Sequence, residues 1–520
     1  MKAGPPGGRA GVAAALLTTV LWLTATAWMR PLMLPDEGRY VGVAWEMLRS
    51  GDWLTPTLNG LPYFHKPPLF YWITGAALSV LGPHEWAART APLLGGVVAA
   101  TALFLFVRRW RGPALAWLSL AVLLTQPLLF AGAQFANLDM LVAGCIAATL
   151  LSFANAALAI EQGLRPRASL LAGYLFAALG LLAKGLIGVV LPGLVLVAWL
   201  VVRGRPRVLL ALAWLPGLAV FAAVAAPWFV AMQSRFPDFL HYFFVVQHFQ
   251  RYTAGGFNNP APFWFYLAVL PLATLPWSAW LPAAAQRASR GDADGARLRQ
   301  LMWLWLLLVT VFFSLPRSKL AGYILPVTVP LAFLVADAAL AAAQSGRGRR
   351  LLAASAAAAA LACLTVVVAV TAAPSKSLRE VGRTLAQRRT PEEPVVFLHG
   401  YYYDLPFYAR LAAPPLVLDD WDRPALAARD DWHRELLDAQ RFRRGQGDPV
   451  LLLPSQLAGV LCASRATWLV GGVAMLERYP LLAQAAVIAR QGDTLLWRLP
   501  AGAVTAAPCP GTPSASSAGM

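Results

Sequence analysis

The sequence predicts a polytopic α-helical membrane protein of about eleven transmembrane helices. Interfacial helices are expected in its first outer loop, with a small α/β domain at the C-terminal end. Three observations predict this. The first is composition: 58% of the 520 residues are hydrophobic and 13% charged, where a soluble domain carries about 25% charged residues. Together with a mean hydropathy of +0.57, this excludes a soluble globular enzyme and a disordered basic chain. The second is a series of apolar runs, each approaching the roughly 20 residues that a helix needs to cross a bilayer. The third is the placement of charge. Residues 1–373 hold 27 basic and 11 acidic side chains, and residues 374–520 hold 16 and 14. The net charge of +18 therefore sits between apolar runs, where a membrane protein keeps it, and does not form a nucleic-acid patch.

In chain order, the runs fall near 11–29, 86–107, 113–131, 138–160, 168–183, 185–202, 208–231, 262–283, 300–315, 321–343 and 350–372. That makes eleven, of which the pair at 168–202 is the least distinct because its two halves join almost directly; counts from 11 to 13 fit the sequence. Alternate connections carry 17 Lys or Arg, beginning with Lys2, Arg9, Arg108, Arg109 and Arg111 and ending with Arg347, Arg349 and Arg350. This alternation places the N-terminus in the cytoplasm, and an odd number of spans then places residues 374–520 on the opposite side. Domains are expected at 1–373 (transmembrane) and 374–499 (α/β, periplasmic), followed by an Ala/Pro/Ser/Gly-rich tail at 500–520 expected to be disordered.

Two outer connections, 30–85 and 232–261, are long and rich in aromatic, Pro and Gly residues, which marks them as functional loops. Segments 37–50 and 68–81 show helical spacing of apolar residues and read as interfacial helices. In the tail, 394–398, 415–418, 450–453 and 467–470 read as strands, and 376–389 and 425–441 as helices. Cys145 and Cys363 lie in apolar runs. Cys462 and Cys509 lie in the tail and pair only if it faces an oxidising compartment. No Cys/His spacing of the zinc-finger type occurs.

Asp36 and Glu37 follow Pro35 directly after the first run. They are either helix-capping carboxylates or a functional pair, with Arg39 and Lys66 as nearby partners. Lys66, in Tyr63-Phe64-His65-Lys66-Pro67-Pro68, is either a phosphate-binding ammonium or a residue snorkelling among headgroups. Asp139 enters the fourth run just after Asn137-Leu138, as a cap or as a site residue. His248 and Arg251 share a helical face at i, i+3. Arg317 and Lys319 add cations on the same outer side, and Lys184 has no partner visible in sequence. No GxxxxGK[ST] or GxGxxG occurs to cradle a nucleotide. An outer-face enzyme would then draw an activated donor from the membrane.

The stretches PDEGRY and YFHKPPLFYW, followed by HEWAAR, FANLDM, QHFQRY and SKLAGYILP, resemble the bacterial lipid A aminoarabinose transferase (ArnT-like) family. That family belongs to the GT-C membrane glycosyltransferases, and dolichyl-phosphate-mannose protein mannosyltransferases are more distant relatives. The resemblance implies a GT-C bundle, an undecaprenyl-phosphate-linked sugar donor and inversion at the anomeric carbon. It places Asp36 at the principal functional carboxylate and Asp139 at a second acidic position, with Glu37 as a neighbouring acid. Arg39 and Lys66 match positions near the donor phosphate, and Tyr63 and Tyr323 match site tyrosines. Arg251 and Lys319 join them as substrate-binding candidates. His248 matches a histidine of the family's metal site, but His65 stands where the family's proline motif carries Glu. Metal dependence, through a zinc-like His65/His248 pair, is therefore left open.

The expected function is glycosyl transfer from a polyprenyl phosphate to lipid A phosphate or another membrane or periplasmic acceptor at the outer face of a bacterial inner membrane. The expected partners are that donor, the acceptor and bilayer lipids, with no nucleic acid. One rival is a GT-C enzyme acting on protein, polysaccharide or another lipid. The other is a lipid transporter or flippase, against which stand the charges gathered at one interface and the lack of an internal repeat.

Overall fold

The structure is a computed structural model describing residues 8–250, 259–288, 293–373, 375–426, 431–443 and 449–500, without the side chains of 248–250, 293 and 484. The chain divides into two compact units, Met1–Arg30 with Phe64–Ala373, and Pro31–Tyr63 with Pro374–Met520. This division departs from a linear boundary at 373, because the first part of the outer loop folds with the C-terminal residues.

The first unit is helical. Among the described residues, seven helices are long and apolar enough to cross a membrane, or nine if each of two bent pairs counts as one span. These are Thr90–Arg111, Leu138–Glu161, Arg167–Lys184, Leu215–Arg235, Asp294–Ser314, Ala321–Ala342 and Gly346–Ala372, with the bent pairs at 113–133 and 265–286. Two further apolar helices, Arg9–Thr24 and Ile187–Val202, stand where the first and sixth runs were read but are only 16 residues long. The chain is thus a multi-pass membrane protein. The bends have sequence causes. Pro127 opens the second half of a pair that turns by 68°, and Pro276 lies in the break of the pair that turns by 103°, since proline lacks the N–H that would continue a helix. Helix Leu138–Glu161 is 83% buried over its most apolar window, so it forms the centre of the unit.

In the second unit, helix Asp36–Ser50 ends at Gly51, whose φ of 74° forms a left-handed cap. A tight hairpin follows, β1 (Thr57–Leu58) with β2 (Leu61–Pro62). Asn59 and Gly60 both take positive φ at its tip, as a two-residue turn requires. The C-terminal part carries β3 (Val395–Leu398), β4 (Leu416–Leu418), β5 (Leu451–Leu452), β6 (Ala466–Gly472), β7 (Ala486–Gln491) and β8 (Thr494–Pro500). They form one sheet in the order β5-β4-β3-β6-β8-β7. β3 to β6 run parallel, while β8 pairs antiparallel with β6 and β7. All four residues of β3 are buried, as befits a parallel strand covered on both faces. Val396, Leu398, Leu418, Leu452, Leu469 and Trp497 belong to a single apolar core. The four expected strands are present, and the β7–β8 hairpin adds two that the sequence reading did not foresee. The expected helices at 376–389 and 425–441 are the shorter Arg379–Arg388 and Trp432–Gln440. Cys462 is disulfide-bonded; Cys509 and the tail beyond 500 lie outside the described residues.

Candidate active site

The sequence-nominated side chains fall into two groups, one in each unit. In the second unit the acids of the PDEGRY segment occupy the first turn of helix Asp36–Ser50. They do different work. Glu37 is fully buried, and its Oε2 accepts the Met33 N–H at 2.7 Å, fixing the chain's entry into the helix. Asp36 keeps 28% of its side chain exposed and lies 3.4 Å from Arg39 Nη1. The same guanidinium lies 3.1 Å from Oε2 of Glu435 through Nε and 5.1 Å from the Tyr403 ring centroid. Burial opposes the charge of Arg39, but Glu435, Tyr403, Tyr63 and Tyr40 outweigh it and hold the group firmly protonated. Tyr63 is buried, and its N–H donates to Pro56 O.

Gly38 of the same motif has a packing reason. A Cβ there would lie 2.9 Å from Tyr403 Cβ and 3.0 Å from Asp404 N, so only glycine lets this helix approach the 403–404 backbone.

In the first unit, Asp139 lies one residue inside helix Leu138–Glu161, where Asn137 caps the start by accepting the Asp139 N–H at 3.1 Å. The Lys184 ammonium, at the end of helix Arg167–Lys184, donates directly to Asp139 Oδ1. It also lies 4.6 Å from the centroid of Tyr323. Both charged heads are nearly buried, with 12% and 8% of their side chains exposed. Gly322 completes the arrangement, since a Cβ there would lie 2.6 Å from Asp139 Oδ2. The KLAGY motif thus places a tyrosine on the ammonium and a glycine against its carboxylate. Sequence reading named Asp139 and Tyr323 separately; what it missed was Lys184 as the charge that joins them.

Other candidates are placed differently. Lys66 is half-buried. His65 is buried and lies 6.2 Å, ring to ring, from Tyr242. Phe64 packs edge-on against Phe236 and Phe239 at 4.8 and 5.3 Å, so the two long outer connections meet there. Lys319 is buried, and its ammonium donates to the carbonyls of Ala261, at 3.0 Å, and Pro316. Arg89 of HEWAAR is fully buried and donates to the carbonyls of Ala27 and Arg30, which ties down the end of the first helix. The His248 side chain and Arg251 lie outside the described residues.

Among the described residues, one His/carboxylate set has metal-ligand spacing. Ligand atoms of His399, Asp419 and Asp420 lie within 4.8 Å of one another at the carboxyl ends of β3 and β4. Their lone pairs are already engaged. Asp419 sits between His399 Nδ1 at 3.0 Å and His433 Nε2 at 3.2 Å. Asp420 accepts Arg478 at 3.1 Å through both oxygens and pairs with Arg423 at 2.9 Å. This is a hydrogen-bonded network that ties together the loops after those strands.

Comparison with known proteins agrees with the fold. A family profile described as dolichyl-phosphate-mannose-protein mannosyltransferase matches residues 65–230. The undecaprenyl phosphate-alpha-4-amino-4-deoxy-L-arabinose arabinosyl transferase of Erwinia tasmaniensis is 35% identical over 319 residues, covering 61% of this chain and 57% of that protein. The corresponding transferase 1 of Sodalis glossinidius is 37% identical over 315 residues, covering 59% and 55%. The chain thus spans less than two thirds of these relatives' length. Among solved structures, ArnT from Cupriavidus metallidurans bound to undecaprenyl phosphate superposes with a TM-score of 0.78 at 25% identity, covering 96% of this chain and 99% of that one. The archaeal oligosaccharyltransferase AglB from Archaeoglobus fulgidus shares the fold alone, at a TM-score of 0.55 and 12% identity, covering 89% of this chain and 69% of that one.

Proposed function

We propose that this chain, a multi-pass membrane protein of the GT-C fold and a relative of the aminoarabinose transferases, is a glycosyltransferase. In this reading it moves a sugar from undecaprenyl phosphate to an acceptor at the periplasmic face of the inner membrane, with an aminoarabinose-type sugar going to a lipid A phosphate. One observation carries the reading: the two acids of PDEGRY are divided in role. Glu37 is spent on the backbone, whereas Asp36 remains partly exposed at a helix start, beside a guanidinium that is held charged.

Asp36 contacts the sugar or positions the acceptor, and serves as general base where the acceptor is a hydroxyl. A phosphate acceptor is already an anion and needs no proton removed. The glycosidic C–O bond to the carrier phosphate breaks as the acceptor oxygen attacks the anomeric carbon. The departing undecaprenyl phosphate gathers negative charge, which Arg39 stabilises; Lys66 is a second candidate cation for a carrier phosphate. Within the first unit, Lys184, paired with Asp139, holds the Tyr323 ring. Tyr63, Arg251 and Lys319 are further substrate-binding candidates, and Lys319 ties the 261 and 316 carbonyls together. His65 and His248 offer imidazoles for a divalent metal, and the present residues assign no step to one.

The N-terminus is assigned to the cytoplasm and the α/β portion to the periplasm. The alternating basic connections support this. The test is mass spectrometry of lipid A from a strain with and without the gene. A gene-dependent pentosamine on a lipid A phosphate is expected. Unchanged lipid A, with the new sugar on protein or polysaccharide, overturns the acceptor assignment.

A further inference from the structure

Helix Trp432–Gln440 of the C-terminal part packs against β2, the strand that follows helix Asp36–Ser50. Its start is fixed by Asp431, whose carboxylate accepts the His433 N–H at 2.9 Å. One turn in, Glu435 points to Arg39. Arg39 Nε forms an ion pair with Glu435 Oε2 at 3.1 Å that lacks hydrogen-bond geometry, and Nη1 donates to Asp36 Oδ1 at 3.4 Å. Its face lies over Tyr403, whose hydroxyl donates to the same Glu435 Oε2 at 2.8 Å. Arg39 and Glu435 expose 17% and 15% of their side chains, Asp36 28%.

We infer that Glu435 is a positioning residue for the transfer reaction: its charge draws Arg39 toward itself and keeps the 3.4 Å contact with Asp36 from shortening into a full ion pair. This deepens the proposed function and rests on it. An arginine offers one planar fork, and what its Nε edge binds decides where its Nη groups point. With Glu435 present, the charge of Arg39 is shared between two carboxylates, and the shorter contact goes to the one that does no chemistry. With Glu435 neutralised, Asp36 becomes the principal counter-ion at i, i+3. The Asp36 carboxylate is then tied up and Arg39 is turned away from the donor phosphate. The α/β portion therefore contributes to the site across 396 residues of sequence, from Arg39 to Glu435.

The test uses the full-length protein in nanodiscs with a synthetic undecaprenyl-phosphate sugar, comparing wild type, Glu435→Gln, Glu435→Asp, Arg39→Gln and the Arg39→Gln/Glu435→Gln pair. Glu435→Gln is expected to lower kcat by roughly 10–100-fold with donor KM changed less than about threefold. Glu435→Asp should recover part of the loss, and the double variant should be no slower than Arg39→Gln alone. A structural role alone would lower the unfolding temperature and the active fraction but leave kcat per folded molecule unchanged, which overturns the inference. Losses that multiply in the double variant overturn it as well. If Glu435→Gln does not fold, Glu435→Asp and the double variant decide between the same outcomes. Absence of transfer by wild-type protein overturns the transferase reading itself, whereas wild-type transfer with unaltered kcat in Glu435→Gln overturns only the positioning role.

Discussion

Replacing Lys184 with methionine keeps the length and apolar stem of the side chain and removes its charge. The Asp139 carboxylate, with 8% of its side chain exposed, then faces a buried site without its counter-ion. Breaking one side of a buried pair costs about 3–5 kcal/mol, whereas an exposed pair would cost about 0–1 kcal/mol. Loss of the cation over Tyr323 adds roughly 0.5–2 kcal/mol. Against this, Asp139 sits in the first turn of a 24-residue helix, whose N-terminal dipole still favours an anion by about 0.3–1 kcal/mol. The net expectation is a loss of roughly 3–6 kcal/mol. Adding Asp139→Asn removes the orphaned charge and should restore most of that stability, leaving the double variant folded but slow in sugar transfer. Thermal unfolding in detergent, read beside turnover, separates these effects. A Lys184→Met protein that melts like wild type, or a double variant no more stable than Lys184→Met, refutes the reasoning.

Two other predictions follow from the same geometry. Glu37→Ala should destabilise the protein by about 1.5–3 kcal/mol by removing a charged acceptor from the Met33 N–H, while Glu37→Gln retains an acceptor and should unfold near wild type. Chemical denaturation checks the order. His433 gives a pH prediction. Burial opposes its charge, but Asp419 and Asp431 outweigh burial and raise its pKa. Burial likewise acts to raise Asp419, but the bonds from His399, His433 and the Asp420 N–H outweigh it and hold that carboxyl low. The raised histidine contributes stability that is complete below its unfolded value of about 6.5 and is lost as pH rises through its folded value. The depressed carboxyl contributes stability present above about 3.9 and lost as pH falls through its own folded value. The unfolding-temperature gap between wild type and His433→Gln should therefore be widest at mildly acidic pH and narrow toward pH 9. A gap that widens with pH contradicts the assignment.

Much of the helical architecture was legible because a bilayer imposes a length on each apolar run, and proline marked both sharp bends. Strands β3 to β6 were legible as short β-rich runs. The β7–β8 hairpin was not, because β7 is an exposed to half-buried Ala-Val-Ile-Ala-Arg-Gln segment whose short apolar stretch shows no alternation. Its Gly492, with φ of 58°, was the available turn signal. At the site, acids and cations were nameable one at a time, but their pairings were not. Lys184 meets Asp139 across 45 residues, and Glu435 reaches Arg39 from a helix in another part of the chain. Long-range pairing is written in the packing of helices and not in local spacing. Gly322 and Gly38 record those approaches only as missing side chains, and they become readable once the neighbour is known.

The central claim is that Asp36, and not its buried neighbour, carries the chemistry. The direct measurement is turnover by purified Asp36→Asn under saturating donor and acceptor, with unfolding temperature and undecaprenyl phosphate binding measured on the same preparation. The account predicts a folded protein that binds the lipid and turns over about 100-fold or more slowly than wild type. Wild-type turnover by that variant would contradict it and leave Asp36 as a helix cap.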